Sequence, residues 1–184
     1  TGQLGQTLAQ LWVESPLPQC QLKVLSRSDL DIAKAGMTDA VLSELKPSVV
    51  VNAAAYTQVD RAESDSESAA LVNAQAVGAI ARWVAANQAR LIHISTDFVF
   101  DGTSKTPYSP DQQTGPLSAY GSSKLAGEQQ IQALANERSA IVRTSWLYSE
   151  FGNNFVKTML RLMGEKEQLS IVNDQIGSPS STHG

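Results

Sequence analysis

Leu91-Ile-His-Ile-Ser-Thr96 is the stretch that decides the fold, because it is short, rich in β-branched residues and free of charged side chains. A strand that is covered on both faces has this nearly continuous apolar composition. Similar runs occur at Leu22–Ser26, Ser48–Ala54, Ala140–Thr144 and Leu169–Val172. Together they predict the strands of one parallel sheet.

Longer stretches with helical periodicity separate these runs. In the first of them Leu4, Leu8, Leu11 and Trp12 recur on one face. The predicted helices are Leu4–Glu14, Thr38–Leu45, Ser66–Asn87, Ala119–Asn136 and Asn154–Met163. Alternation of strands and helices predicts an α/β fold, a doubly wound parallel sheet with right-handed crossovers, in one domain over residues 1–184.

The composition narrows the classes of function. The chain has 184 residues, 42% of them hydrophobic, and a net charge of −4 without a Lys/Arg-rich run, which argues against a nucleic-acid partner. Cys20 is the only cysteine, so no internal disulfide or thiolate zinc site can form, and a reducing, cytoplasmic compartment fits. No apolar run reaches the roughly 18 to 20 residues that span a bilayer, so we expect no membrane partner.

Polar residues follow four of the predicted strands: Ser26-Arg-Ser28, Asn52, Ser95-Thr-Asp97 and Arg143-Thr-Ser-Trp146. Ligands of doubly wound sheets bind at the carboxyl ends of the strands, so these residues predict a site at one edge of the sheet. The alternative is that strand ends are polar simply because loops are exposed.

Tyr120-Gly-Ser-Ser-Lys124 places a phenol and an ammonium four residues apart, on one face of a predicted helix. A free phenol has a pKa of about 10, and a nearby ammonium lowers that pKa. A hydroxyl from Thr96 could orient the same carbonyl oxygen. The three side chains suit proton transfer to a carbonyl that is reduced by hydride, although the pair alone also describes a surface tyrosine beside a solvated lysine.

Gly2-Gln3-Leu4-Gly5 looks like the end of a dinucleotide-binding fingerprint at a helix start. Gly2 would let the backbone approach a pyrophosphate, and Gly5 would allow close packing of helix on strand. No strand precedes these residues and the chain begins at Thr1. We therefore expect the first strand of the sheet, and the true N-terminus, to lie outside this chain.

Arg27 and Ser28 stand where the adenosine ribose of a dinucleotide would lie. A basic and a hydroxyl side chain accommodate a 2′-phosphate, whereas an acidic one favours a free 2′-OH. Asp29 and Asp31 follow closely. We expect NADPH as the cofactor, with NADH as an alternative; an ordinary solvated turn is the competing interpretation.

Five segments carry a family resemblance: Asn52-Ala-Ala-Ala-Tyr-Thr57 with Val59-Asp-Arg-Ala-Glu63, Ser95-Thr-Asp-Phe-Val-Phe-Asp-Gly102, Tyr120-Gly-Ser-Ser-Lys124 through Glu128, Arg143-Thr-Ser-Trp146, and Gly152-Asn-Asn-Phe155 through Asn173-Asp-Gln-Ile-Gly-Ser-Pro179. On these residues the chain resembles the extended short-chain dehydrogenase/reductase superfamily, with its Rossmann-type sheet, and within it the dTDP-4-dehydrorhamnose reductase family. Tyr-x-x-x-Lys is generic to the superfamily, whereas the second and last segments are more specific.

The resemblance implies the last step of dTDP-L-rhamnose synthesis, in which NAD(P)H reduces the C4 keto group of dTDP-4-dehydro-L-rhamnose. By the same resemblance Tyr120 donates the proton, Lys124 binds the nicotinamide ribose and lowers the tyrosine pKa, and Thr96 binds the reacting oxygen. Thr96, Asp97 and Trp146 contact the sugar. The resemblance also implies further contacts to the cofactor, made by Asp31, Ile32, Ala54, Ala55, Tyr56 and Ile94.

The family's C-terminal substrate domain is expected to lie mostly outside this chain. The resemblance implies a homodimer and leaves a magnesium requirement open; no residue here is assigned to a metal. His93 is interpreted as a strand-packed histidine rather than an acid–base group. Asp60 and Glu63 are interpreted as charges that cap or solvate a helix rather than as catalytic groups.

Two other functions remain open at this stage. A sugar-nucleotide epimerase or dehydratase of the same superfamily also uses Tyr and Lys, but returns the hydride and consumes no cofactor. A regulatory subunit of methionine adenosyltransferase resembles the same reductase and binds NADP without reducing a sugar. Net consumption of NADPH separates the reductase from both.

Overall fold

The computed structural model describes residues 2–183, which form two compact units. One comprises residues 2–26 and 144–183, and the larger one comprises residues 27–143. The larger unit holds the predicted catalytic side chains, and the smaller one holds the glycine-rich start and Trp146.

The larger unit is built on a three-stranded sheet in the order β1 (Val49–Asn52), β2 (Arg90–Thr96) and β3 (Ser139–Thr144). β1 and β2 are parallel, with Val50 opposite Leu91 and Asn52 opposite His93. A parallel pair needs a crossover, which the helices between residues 52 and 90 supply. These strands confirm three of the five predicted ones.

The five predicted helices lie close to their predicted positions, and one short helix, Val59–Ala62, was not predicted. The helices are α1 (Gln3–Glu14), α2 (Met37–Leu45), α3 (Val59–Ala62), α4 (Ser66–Ala70), α5 (Ala76–Ala86), α6 (Ala119–Ala135) and α7 (Phe155–Glu165). A π-helical turn, Leu71–Gln75, joins α4 to α5, and short 3₁₀ turns cover Asp97–Val99 and Asn136–Arg138. The predicted helix Ser66–Asn87 is therefore observed as one continuous helical rod, Ser66–Ala86, which is wider at the π-helical turn.

The rod Ser66–Ala86 is long and apolar enough, by length and composition, to cross a membrane, which corrects the expectation that no run has that character. More than half of its most apolar stretch is buried inside the protein. Val77, Ile80 and Val84 pack in one cluster with Leu91 of β2 and Ile131 of α6. Its composition is thus explained by a position in the core.

The smaller unit contains α1, α7 and a short parallel pair of β4 (Leu147–Tyr148) with β5 (Ser180–Ser181). The buried Thr7 hydroxyl of α1 is 2.7 Å from the Thr182 hydroxyl. Asn154 caps α7 by accepting a hydrogen bond from the Lys157 N–H. The helix begins where the sequence predicts because this amide side chain satisfies an otherwise unpaired donor.

Two predicted strands are wrong. Residues 22–26 and 169–172 have no regular secondary structure, and Leu22, Val24 and Val172 are exposed. An apolar β-branched run becomes a strand only where a neighbouring backbone supplies the ladder hydrogen bonds. The last pairing is instead made by Ser180–Ser181, whose polar sequence gave no strand signal.

Candidate functional site

Thr96 ends β2 and turns the chain into the 3₁₀ turn that begins at Asp97. Its hydroxyl accepts a hydrogen bond from the Phe98 N–H at 3.2 Å and donates to Asp97 Oδ1 at 3.1 Å. Thr96 is buried, and burial raises the pKa of Asp97 above its usual value. The predicted pair at the strand end is therefore ordered by its own local hydrogen bonds.

Tyr120 lies in the first turn of α6, which the Ser118 side chain caps through the Gly121 N–H. The ring meets Phe98 edge to face, with centroids 5.6 Å apart. A Cβ on Gly121 would lie 2.2 Å from the Phe98 carbonyl oxygen, so only glycine lets α6 approach the strand end this closely. The glycine of Tyr-Gly-Ser-Ser-Lys thus brings the phenol to the Thr96 turn.

The Tyr120 pKa is raised, chiefly by burial. A hydrogen bond with Thr96 acts to lower it, and the negative charge of Asp97 acts to raise it. The sequence predicted a pKa lowered by Lys124, and the net direction in the structure is the opposite. The reason is that Tyr120 is only 9% exposed, and burial penalises the charged phenolate.

Lys124 is 2% exposed, on the same face of α6 as Tyr120. Its Nζ donates to the Ile94 carbonyl oxygen at 2.6 Å and lies 3.4 Å from His93 Nε2. Burial lowers its pKa to about 8, against the charge of Glu128, which raises it. A buried, polar-anchored lysine excludes the interpretation of Tyr120 and Lys124 as a solvated surface pair.

His93 is fully buried in β2, as the sequence predicted. Its Nδ1 lies 3.0 Å from Nδ2 of Asn52 on β1. Burial first, and the positive charge of Lys124 second, lower the His93 pKa to about 3. The ring is therefore neutral at physiological pH.

Asn73 was missed by sequence reasoning. It lies in the π-helical turn, 1% exposed, and its side chain binds both backbone groups of Tyr56, accepting from N at 2.9 Å and donating to O at 3.0 Å. It also donates to Ser123 Oγ, which donates to the Tyr120 carbonyl. The sequence did offer one signal, which is an asparagine inside an otherwise apolar helical run. The structure places it in a π-helical turn, and such turns are frequent at functional sites.

Glu128 and Arg143 form a second group that the sequence did not assign. Arg143 donates to both carboxylate oxygens of the buried Glu128, at 3.0 and 2.7 Å, and Ser95 Oγ donates to the same carboxylate. The Arg143 guanidinium also stacks over the Phe100 ring. Glu128 thus links α6 to β2 through Ser95 and to β3 through Arg143, next to the strand end that carries Thr96.

The residues assigned to the adenosine side lie at the start of the larger unit. The exposed Arg27 pairs with Asp31 at 3.3 Å, and the Ala33 N–H binds the other Asp31 oxygen. That N–H is the first cause of a lowered Asp31 pKa, ahead of Arg27. Ser28 is exposed, whereas Ile32 packs against the core cluster.

The remaining residues of this unit that were predicted to contact the cofactor lie near the strand ends. Ala54 is exposed, and its N–H donates to Asn52 Oδ1 at 3.2 Å. Ala55, Tyr56 and Ile94 are half-buried. The backbone from Ala54 to Tyr56 is held by Asn52 and Asn73, which fits its expected role as a backbone wall.

In the smaller unit, Gly2 precedes α1 in extended conformation without a side-chain cap. A Cβ at Gly2 would meet no atom of the described residues within 4 Å. Gln3 instead bonds to Ser149 and Asn154, a packing role that the sequence did not indicate. Leu4 and Gly5 are half-buried.

Trp146 has a left-handed backbone (φ 47°), a conformation uncommon outside glycine. Its indole is half-exposed, and a Cβ on Gly177 would lie 3.0 Å from the ring. Such backbone geometry at a strand end supports the selection of this residue as a candidate for ligand contact.

Glu63 has a more specific role than the sequence suggested, since its carboxylate accepts from the Ala119 N–H at 2.8 Å. It thus caps α6, the helix of Tyr120, rather than its own. Within residues 2–183, no group of three or more His, Cys, Asp or Glu side chains could hold a metal ion.

The chain is similar in sequence and in structure to proteins named dTDP-4-dehydrorhamnose reductase. A relative from Aggregatibacter actinomycetemcomitans named dTDP-4-dehydrorhamnose reductase is 42% identical over 179 residues, 97% of this chain and 60% of the relative. The solved dTDP-4-dehydrorhamnose reductase of Clostridium acetobutylicum has a TM-score of 0.92 and 39% identity, covering 99% of this chain and 63% of that one. The solved dTDP-4-dehydrorhamnose reductase of Bacillus anthracis, in complex with NADP, has a TM-score of 0.92 and 40% identity, and the match again covers 99% of this chain and 63% of that one.

These neighbours confirm the α/β fold of the Rossmann type. The chain spans about 60% of the length of the relatives that it matches. A family model described as the RmlD substrate binding domain matches residues 1–184. The match covers the whole chain, and the chain therefore belongs to the RmlD substrate binding domain family.

Proposed function

We propose that this chain is part of an NAD(P)H-dependent dTDP-4-dehydrorhamnose reductase, which reduces the C4 keto group of dTDP-4-dehydro-L-rhamnose to dTDP-L-rhamnose. The relatives carry that name, and one of them is solved with NADP. The observation that carries the proposal is the convergence of Thr96, Tyr120 and Lys124. They are buried together at the end of β2, each held by named hydrogen bonds or ring contacts.

In this proposal Tyr120 donates its proton to the oxygen that develops negative charge at C4. The raised pKa keeps the phenol protonated until a stronger base, the alkoxide, is present. Thr96, hydrogen-bonded to Tyr120, orients the same oxygen. Asp97 and Trp146 are assigned to the sugar.

A nicotinamide cofactor, when bound, supplies the hydride. The residues of the larger unit fit such a group because the buried ammonium of Lys124 and the hydrogen-bonded backbone from Ala54 to Tyr56 lie near the carboxyl ends of its strands, where the fold binds dinucleotides. Lys124 is assigned to the nicotinamide ribose. Arg27 and Ser28 favour the 2′-phosphate of NADPH, although Arg27 must then exchange its pairing with Asp31.

The test follows nicotinamide absorbance with the natural full-length protein, NADPH and enzymatically generated dTDP-4-keto-L-rhamnose. We expect one NADPH consumed per sugar reduced. Tyr120→Phe should keep NADPH binding and lower turnover by about 10² to 10⁴, the usual range for a general acid. Tyr108→Phe is a matched control, because that phenol binds Asp101 and is not assigned to the reaction.

The outcomes separate the other functions. An epimerase or dehydratase would convert a sugar nucleotide without net loss of NADPH. NADPH binding without any sugar chemistry, together with copurification of a methionine adenosyltransferase, would support the regulatory function. Equal turnover in Tyr120→Phe and the natural protein would eliminate the proton-donor role.

The homodimer and the cytoplasmic location also belong to the proposal. Cys20 is exposed and is the only cysteine, which suits a reducing compartment. Light scattering on the full-length protein, with and without magnesium, tests both the dimer and the role of the metal.

A further inference from the structure

A row of buried polar side chains lies behind Lys124. Asn52 of β1, His93 of β2 and Lys124 of α6 are each at most 5% exposed. Asn52 Nδ2 is 3.0 Å from His93 Nδ1, and His93 Nε2 is 3.4 Å from Lys124 Nζ. The row links the end of β1 to the lysine assigned to the cofactor.

The hydrogen bonds determine which ring nitrogen of His93 carries the proton. The Ala54 N–H donates to Asn52 Oδ1 at 3.2 Å, so the amide oxygen of Asn52 faces the backbone and its NH₂ faces His93. Nδ1 must then accept from Asn52. A neutral imidazole with an accepting Nδ1 carries its proton on Nε2, and that N–H faces Lys124 Nζ.

With this tautomer, His93 interacts differently with the charged ammonium and with the neutral amine of Lys124. An ammonium has three donors and no acceptor, whereas a neutral amine has a lone pair that can accept from His93 Nε2–H. The Ile94 carbonyl takes one Lys124 N–H in either form. Among the charged groups that act on Lys124, Glu128, one turn further along α6, favours the ammonium.

We propose that His93 is a positioning residue that donates from Nε2 to the neutral Lys124 amine, holds Nζ beside the Ile94 carbonyl and favours release of the lysine proton. The consequence for turnover rests on the proposed reductase function, but the effect on Lys124 itself does not. The lowered pKa of Lys124, whose first cause is burial, has the direction that this contact requires.

The test measures the titration of Lys124 directly, by NMR of the cofactor-free full-length protein with ¹³C at lysine Cε. Loss of one signal in Lys124→Arg identifies the resonance. His93→Leu should raise the Lys124 midpoint by about 0.5 to 1 pH unit, because a net hydrogen bond of about 1 kcal/mol is lost from the neutral form. A more apolar neighbour alone would lower the midpoint, so the sign is diagnostic.

Two further variants control the experiment. His93→Gln presents an amide N–H near the position of Nε2 and should restore a midpoint close to that of the natural protein. Leu91→Ala removes a buried side chain two residues earlier on the same face of β2 and should leave the midpoint unchanged. An unchanged or lowered midpoint in a folded His93→Leu protein overturns the proposal.

The ¹⁵N shifts of His93 in the natural protein give a second measurement that needs no variant. A proton on Nε2 supports the proposal, and a proton on Nδ1 overturns it. Failure of the reductase function is recognised separately: the protein would then consume no NADPH, while the ¹⁵N shifts of His93 would still show a proton on Nε2. In an active enzyme His93→Leu should shift the pH profile of kcat/KM, which reports the free enzyme, in the same direction as the Lys124 midpoint, and His93→Gln should reverse that shift.

Discussion

Helices α6 and α7 contrast in what they bury. In α6 the polar residues Ser123, Lys124 and Glu128 are buried, each with a hydrogen-bond partner. In α7 no residue is buried, although Val156, Leu160 and Met163 recur on one face and remain exposed. Within residues 2–183, the buried polar side chains of α6 thus have hydrogen-bond partners, whereas the apolar face of α7 is not covered.

The contrast has an energetic meaning. A buried charge is tolerated only with paired and hydrogen-bonded neighbours, so the interior around α6 depends on complete networks. An exposed apolar residue costs little and needs no partner. We therefore expect substitutions in α6 to have large effects and equivalent substitutions in α7 to have small ones, measured by urea unfolding of the full-length protein.

The largest difference should come from the two ion pairs. Glu128→Ala leaves the Arg143 guanidinium and the Ser95 hydroxyl without their partner and should cost about 3 to 5 kcal/mol. Glu165→Ala in α7 breaks an exposed pair with Arg161 and should cost no more than about 0.5 kcal/mol. Similar losses in the two variants would refute the contrast.

The next largest difference between α6 and α7 should come from replacing a glycine in each helix by alanine. A Cβ on Gly127 of α6 would lie 2.1 Å from the Asn73 carbonyl oxygen, so Gly127→Ala forces two helical segments apart and should cost roughly 3 kcal/mol. Gly164 of α7 has no atom within 4 Å of that position. Gly164→Ala should stabilise by up to about 1 kcal/mol, because alanine is the better helix former. A loss in Gly164→Ala would mean that this part of α7 is covered.

Acid should destabilise the region through His93. Its pKa is about 3 in the folded protein against 6.5 when unfolded, so the unfolded state binds more protons between these values. Stability from the neutral ring is complete above about pH 6.5 and falls by about 1.4 kcal/mol for each pH unit toward pH 3. His93→Gln should remove one proton from this pH dependence; an unaltered slope would show that the ring is not buried and neutral.

The smallest effect is expected on the exposed face of α7. Leu160→Gln should change stability by no more than about 0.5 kcal/mol, because the side chain is 67% exposed in the structure of residues 2–183. A loss above about 1 kcal/mol in the full-length protein would show that another segment or a second copy covers this face.

The candidate site was predictable in part. Thr96, Tyr120 and Lys124 were identified from their residue types and spacing, and the structure buries all three. Asn73, Glu128 and Arg143 were not, because their roles depend on partners 15 to 50 residues away. The direction of the Tyr120 pKa was wrong because burial outweighs any neighbouring charge, and burial was not visible in the spacing.

The sequence by itself determined five of the helical segments, the three strands β1 to β3, the strand-packed histidine and the family segments, because periodicity and local capping act over a few residues. Only the tertiary structure decided that residues 22–26 and 169–172 are not strands and that Ser180–Ser181 is one. A strand exists through hydrogen bonds to a distant backbone, and a buried charge exists through a distant partner. Both depend on which segments meet, which local patterns do not specify.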